Sequence, residues 1–296
     1  MDAGEVLANR YELRERLGAG STATVWRADD RELERPVAIK LFGPASAVSD
    51  PARRRREARA LAALRHPSIV TIFDARLDDD PPYLVLEYVP GPTLADALAR
   101  GPLDADRARA VVAAAAAGLV PAHAAGLVHR DLKPANILLP DEGAVPARLL
   151  DFGIAHSLGA AHRTEAGTVL GSACYLSPEQ ARGREVGPAS DVYSLGLVWI
   201  ECLTGRPAFP GSTPESIAAR LVRPPDLDAP ELAPEAGLLA RMTAHDPADR
   251  PSAEEVAGLL AGPAPTRVLA SVPAAIATAD PPATAPLTAE TTPVAG

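Results

Sequence analysis

The sequence predicts an α+β chain built as two lobes. A β-rich N-terminal lobe covers about residues 11–88, and a mainly α-helical C-terminal lobe covers about residues 91–262. Two patterns and one number predict it. Short apolar runs with β-branched or aromatic residues, separated by Gly, Pro or Asp, fill the first part. Longer runs with apolar residues at helical spacing fill the second. The composition is 47% hydrophobic but only 4% aromatic, so Leu, Val and Ala must fill the core.

In order, YELRERLGAG, TATVWRAD, PVAIKLF, IVTIFDA and YLVLEYV read as strands. One helix interrupts them: PARRRREARALAALR carries Ala58, Leu61 and Leu64 at helical spacing. PGP at 90–92 follows the hinge between lobes. The helices of the second lobe are TLADALAR, DADRARAVVAAAAAGLV, SDVYSLGLVWIECLTG, PESIAARLV, EAGLLARMTA and SAEEVAGLLA. Pro121, near the end of the Ala-rich helix, is expected to kink or stop it. Between the helices, NILLP and ARLLDFG suggest a small hairpin. Residues 263–296, mostly Ala, Pro and Thr with little charge, are expected to be a disordered tail.

Charge and cysteine content exclude several function classes. A net charge of −9 argues against nucleic acid as a partner, which would need a basic surface. The Arg run at 53–56 reads as a solvated helix face rather than a nucleic-acid signal. Cys174 and Cys202 are too few for a disulfide framework, which fits a reducing, cytoplasmic location. The N-terminus MDAGEVLANRYEL has no apolar run and reads as no signal peptide. No run of about 18 apolar residues occurs, so no transmembrane segment is expected in this chain.

The chemistry is carried by a few stretches. The chain has 29 Lys plus Arg, and all but Lys40 and Lys133 are Arg. In LGAGSTATV, Gly18 and Gly20 would let backbone N–H groups come close to phosphates, although any Gly-rich hairpin turn reads the same way. Lys40 ends VAIK among Val37, Ala38 and Ile39 and needs a partner, for which Glu57 is the candidate. HRDLKPAN gathers Asp131, Lys133 and Asn136, and DFG adds Asp151. Asn136 and Asp151 offer the oxygen ligands that Mg²⁺ demands. Asp131 is free to accept a proton, and Lys133 can hold a migrating phosphoryl group.

Taken in order, GAGSTATV, VAIK, Glu57, HRDLKPAN, DFG and SPE resemble the protein-kinase signature set. LSPEQARG, SDVYSLG and HDPADRPS extend the resemblance over residues 11–262. Lys133, two places after Asp131, matches the Ser/Thr rather than the Tyr pattern. The wording of YLSPEQARG and DVYSLG is similar to the eukaryotic-like Ser/Thr kinases of bacteria, actinobacteria in particular.

The resemblance implies a bilobal protein-kinase fold, with one regulatory helix in the N-lobe. It implies a Ser/Thr protein kinase that uses ATP and Mg²⁺, with Mn²⁺ as a substitute, on protein substrates. Leu17, Gly18, Ala19, Gly20 and Val25 would cover the nucleotide, and Val25, Ala38 and Leu138 would sandwich adenine. Leu86 would be the gatekeeper, with Glu87 and Val89 supplying hinge backbone bonds. Lys40 would hold phosphates and pair with Glu57. Asp151 and Asn136 would hold the metal, Asp131 would take the substrate proton, and Lys133 would steady the γ-phosphoryl group. Arg130 would meet a phosphate on the activation segment, Asp151 to Glu179, where Thr164 and Thr168 are the autophosphorylation candidates. Ser172 would bond near Asp131 and Lys133. Cys174 would lie in the substrate-facing segment, Glu179 and Arg250 would form a buried ion pair, and Asp191 would brace the catalytic loop. A homodimer through the N-lobe is a further implied partner.

This sequence departs from the family pattern at Ala23, in the place of the third loop glycine, and at SPE in place of APE. Ala23 is compatible with nucleotide binding if its φ stays negative. A pseudokinase scaffold would show the loss of Lys40, Asp131, Asn136 or Asp151, and all four are present. A small-molecule phosphotransferase would lack the long segment ending in SPE.

Overall fold

The structure is a computed structural model that describes residues 1–20, 23–43, 58–143, 145–152 and 172–262. Its first lobe is a sheet of β1 (Val6–Leu7), β2 (Tyr11–Ala19), β3 (Ala23–Asp30), β4 (Arg35–Phe42), β5 (Ile72–Arg76) and β6 (Tyr83–Glu87). The strands lie antiparallel in the order β1-β2-β3-β4-β6-β5. β1 is an addition to the sequence reading. It folds back on β2 through Ala8 and Asn9, both at positive φ, and two residues are too few to show an alternating pattern.

Strand alternation decides where Lys40 points. Successive side chains leave a strand on opposite faces. Val37, Ile39 and Leu41 of β4 therefore join Leu13, Trp26, Tyr83 and Val85 in one apolar cluster. Ala38 and Phe42 join Leu84 and Leu86 in the other, which continues into the second lobe. Lys40 sits between Ala38 and Phe42, so it leaves β4 on the face toward the second lobe. Residues 58–63 are helical and are labelled α1, whose Ala58 and Leu61 pack into that same cluster.

The second lobe holds α2 (Leu94–Leu98), α3 (Ala105–Ala124), α4 (Pro178–Ala181), α5 (Pro188–Thr204), α6 (Thr213–Val222), α7 (Ala236–Met242) and α8 (Ala253–Leu260). Several starts are written in the sequence. Thr93 and Asp96, Ser177 and Gln180, Ser212 and Glu215, and Ser252 and Glu255 are capping boxes. The alanines of α3 allow close approach: Ala108, Ala115, Ala116 and Leu119 are fully buried, and a Cβ at Gly118 would lie 3.0 Å from the Ser68 carbonyl oxygen.

Of the two effects expected of Pro121, a stop does not occur. The helix continues to Ala124, and the Ala125 N–H closes the last turn on the Pro121, Ala122 and His123 carbonyls. Proline removes one donor but keeps a helical φ, so near a C-terminus the residues beyond it can still close their own bonds. The expected hairpin is present as β7 (Ile137–Leu138) and β8 (Arg148–Leu149). β8 also ties the lobes together, since the Leu149 N–H donates to the Ser68 carbonyl and its own carbonyl accepts from Val70. Among the described residues no helix is long and apolar enough to cross a membrane.

Candidate active site

The loop before β7 gathers the first three polar groups. Lys133 Nζ donates to Asp131 Oδ2 at 2.7 Å. Asn136 Nδ2 donates to the Asp131 carbonyl at 2.7 Å and to Oδ2 at 3.2 Å. This turns the Asn136 amide nitrogen inward, and its Oδ1 has no donor among the described residues.

The loop owes its shape to groups from elsewhere. Arg130 has φ +66°, a conformation an L-residue keeps only when its surroundings impose it. Asp191 of α5 imposes it from one side. Its carboxylate accepts from the backbone N–H of His129 at 2.8 Å and of Arg130 at 2.9 Å, and contacts His123 Nε2 at 2.9 Å. Gln180 of α4 acts from the other side, donating from Nε2 to the Arg130 carbonyl at 2.7 Å. The expected brace at Asp191 is therefore in place, while Gln180 was read only as part of SPEQ. Its Oε1 caps α4 by accepting from Ser177 N–H while its nitrogen reaches the loop, so the capping-box pattern was the signal that could have found it.

Asp151 approaches from the second strand of the hairpin. Its φ of +59° turns the carboxylate toward the other lobe, where Lys40 Nζ lies 2.7 Å from Oδ1. Burial presses the Asp151 carboxyl toward its neutral form. The Lys40 ammonium, with help from His129 and Lys133, outweighs this and holds the group below the ordinary carboxylate value. His129 sets the turn before Asp151: its Nε2 meets the Leu150 carbonyl at 2.7 Å and its ring lies 4.8 Å from the Phe152 ring. The expected partner of Lys40 was Glu57. Glu57, Thr164 and Thr168 lie outside the described residues; among the described residues Lys40 pairs with Asp151.

The residues expected around the nucleotide occupy the face above. Val25 and Lys40 are paired across β3 and β4, and Ala38 is paired with Leu86 across β4 and β6. Val25, Val89 and Leu138 pack against the cluster containing Ala38 and Leu86. Leu17 is 45% exposed on β2. Gly18 and Ala19 pair with Val25 and Thr24, and Gly20 N–H donates to the Ala23 carbonyl at 2.8 Å. Ala23 is paired with Phe42 in regular strand, so the missing third glycine costs this hairpin nothing. A cavity of ≈ 20 Å³ lies behind Leu86, lined by Leu61, Ile72, Leu84, Asp151 and Phe152 among others.

The Glu87 side chain does more than its hinge position suggested. It accepts from Arg148 Nη1 at 2.6 Å and Nη2 at 2.9 Å, and from the Thr71 N–H at 3.2 Å. The hinge is thereby tied to β8, three residues before Asp151. Deeper in the lobe, Arg250 grips Glu179 through two parallel bonds of 2.7 and 2.9 Å. Burial would raise the Glu179 pKa, but the Arg250 and Ser190 hydrogen bonds hold it down at about 2.

A protein kinase domain model matches residues 11–258. The chain belongs to the protein kinase family. It is 41% identical over 256 residues to the serine/threonine-protein kinase PknL of Mycobacterium tuberculosis, covering 83% of this chain and 63% of that protein. It is 45% identical over 227 residues to PknB of the same species, covering 73% of this chain and 36% of that protein. The chain thus spans less than two thirds of the length of these curated relatives. The crystal structure of the M. tuberculosis PknI kinase domain is 31% identical with a TM-score of 0.70, covering 88% of this chain and 99% of that one. The kinase fold, with its antiparallel N-lobe sheet and helical C-lobe, is the fold the sequence predicts. Lys133 and Asn136 thus meet Asp131 in the second lobe, and Lys40 of the first lobe meets Asp151.

Proposed function

We propose that this chain is an active Ser/Thr protein kinase that moves the γ-phosphoryl group of Mg-ATP to Ser and Thr hydroxyls, with residues 11–262 as the catalytic domain. The observation that carries this reading is the direct contact of each candidate group with another: Lys133 and Asn136 on Asp131, and Lys40 on Asp151.

The donor set fits Mg²⁺. Asp151 offers a carboxylate kept ionised and Asn136 offers an unengaged amide oxygen. Among the described residues no group of three His, Cys, Asp or Glu gathers as a cage. One carboxylate, one amide and phosphate oxygens is the arrangement Mg²⁺ favours over a protein-only cage. Bound there, the ion would neutralise charge that develops on the phosphates. The loop glycines fit a nucleotide too. Neither Gly18 nor Gly20 needs a positive φ, and a Cβ at Gly18 would meet nothing within 4 Å. Close approach of another molecule is the remaining use for them.

In the reaction, Asp131 Oδ orients the incoming hydroxyl and takes its proton as the new O–P bond forms. The bond between the γ-phosphorus and its bridging oxygen breaks, and ADP leaves. Lys133 neutralises the moving group, and Lys40 exchanges Asp151 for phosphate oxygens. Positioning and charge supply most of the rate.

Autophosphorylation of Thr164 or Thr168 completes the reading. Its support is Arg130, whose Nε is buried without a hydrogen-bond partner among the described residues, a donor suited to a phosphate dianion. The test is incubation of the purified chain with Mg²⁺, labelled ATP and a generic Ser/Thr substrate. Label is expected on the substrate and on the chain itself. Thr164→Ala with Thr168→Ala should abolish the chain's activation by preincubation with ATP; unchanged activation would remove the pairing of Arg130 with a phosphorylated Thr.

A further inference from the structure

The helical lobe buries arginines of two kinds. Arg250 meets Glu179 and Arg109 meets Glu235. Arg220 of α6 is fully buried and meets no carboxylate among the described residues. Its Nε bonds the Ser216 carbonyl at 3.1 Å and its Nη2 bonds the Ser216 hydroxyl at 2.7 Å. The outer edge of the fork reaches across to another segment, where Nη1 donates to the Leu176 carbonyl and Nη2 to the Cys174 carbonyl at 3.1 Å. The Phe209 ring lies 5.2 Å from its carbon centre.

Burying a cation without a counter-ion is costly. An apolar side chain would fill the same space without that cost. What only guanidinium supplies is a rigid planar fork able to hold two carbonyls at once. The carbonyl between them is held as well, since Ser194 Oγ donates to the Tyr175 carbonyl at 2.7 Å. Three successive carbonyls, of residues 174, 175 and 176, thus accept from side chains of α5 and α6. The Tyr175 hydroxyl is further bonded to Glu201. The 3-10 turn over Ser172–Tyr175 and the residue after it are thus held by side chains as well as by backbone. This one leads directly into α4, whose Gln180 holds the Arg130 carbonyl beside Asp131.

We propose that Arg220 is a positioning residue for the protein substrate, fixing through the Cys174 and Leu176 carbonyls the segment that leads into α4 and, through Gln180, to the Arg130 carbonyl beside Asp131. This rests on the kinase reading above. Arg220 touches neither nucleotide nor the reacting atoms, so its loss acts on one substrate and not the other.

The test compares the unmutated chain with Arg220→Gln and Arg220→Lys in steady-state kinetics against a Ser/Thr peptide and against ATP. Arg220→Gln is expected to raise the peptide KM about tenfold or more while the ATP KM stays within about twofold. Arg220→Lys, which keeps the charge but loses the fork, is expected to fall between and carries the test if the Gln variant does not fold. Backbone amides of residues 174–177 should exchange hydrogen faster in both. A merely structural role would lower the active fraction and leave both KM values alone. That result, or equal rises in both, with an active unmutated chain, would overturn the inference alone. No transfer by the unmutated chain would overturn the kinase reading and this inference with it.

Discussion

The cleft and the frame beneath it hold their charges differently. In the cleft, Asp131, Lys133 and Asp151 are partly open to solvent while Lys40 is buried, and they pair with one another. In the frame, Asp191, Glu179 and Arg250 are almost wholly buried and bond mainly to backbone or to a single bidentate partner. The difference follows from what each must do. A group that will exchange its partner for phosphate, metal or a hydroxyl must be reachable, and its present partner must be easy to give up. A group that shapes the loop must never exchange. Cleft substitutions should therefore remove rate and spare stability, and frame substitutions should do the reverse.

The sharpest break of that contrast would come at Asp131. Asp131→Asn keeps the size and both hydrogen-bond neighbours but cannot take a proton. It is expected to lower kcat by about 10³ with a thermal midpoint unchanged, measured by peptide phosphorylation beside a melting curve. In the frame, Arg250→Met leaves Glu179 buried without its partner. It should lose about 3 kcal/mol of stability in urea unfolding, far more than any cleft variant loses.

Lys40→Arg and Lys133→Arg come next, with kcat falling about 100-fold and folding retained. A guanidinium keeps the charge but not the slim reach that lets Lys40 leave Asp151 for phosphate. Equal activity in either variant would mean that the scarcity of Lys in this chain carries no functional meaning.

The same frame pair also carries a pH dependence. Glu179 has its pKa lowered from 4.5 to about 2 in the fold. The folded state therefore binds its proton less readily than the unfolded state. The stability it contributes is fully present above about pH 4.5 and is lost as pH falls toward about 2. Acid titration of stability should show this slope in the unmutated chain and lack it in Glu179→Gln, whereas Asp131→Asn should leave it intact.

How much could be read from the sequence follows the same division. The cleft was legible because its residues come in short local motifs on strands, turns and a hairpin. The alternation of Val37 to Phe42 even fixes which way Lys40 points. The frame was legible only where family resemblance pointed to it, at Asp191 and at Glu179 with Arg250. The rest depends on contacts between distant residues that leave no periodic trace. Gln180 reaches Arg130 across 50 positions, Arg220 reaches Cys174 across 46, and Arg148 reaches Glu87 across 61. The stop expected at Pro121 is absent because local helix rules weigh the lost bond and not the packing of Leu119 and Ala122 that holds α3 on both sides of it. β1 was too short for any pattern.

The central claim is that the cleft transfers phosphate and does not merely hold nucleotide. A single-turnover experiment with the folded chain in excess over labelled Mg-ATP and saturating Ser/Thr peptide tests it most directly. ADP and phosphorylated Ser or Thr are predicted to form together and in equal amounts, with neither formed by Asp131→Asn under the same conditions. Nucleotide bound tightly by the unmutated chain, with no phosphorylated hydroxyl formed, would contradict the account.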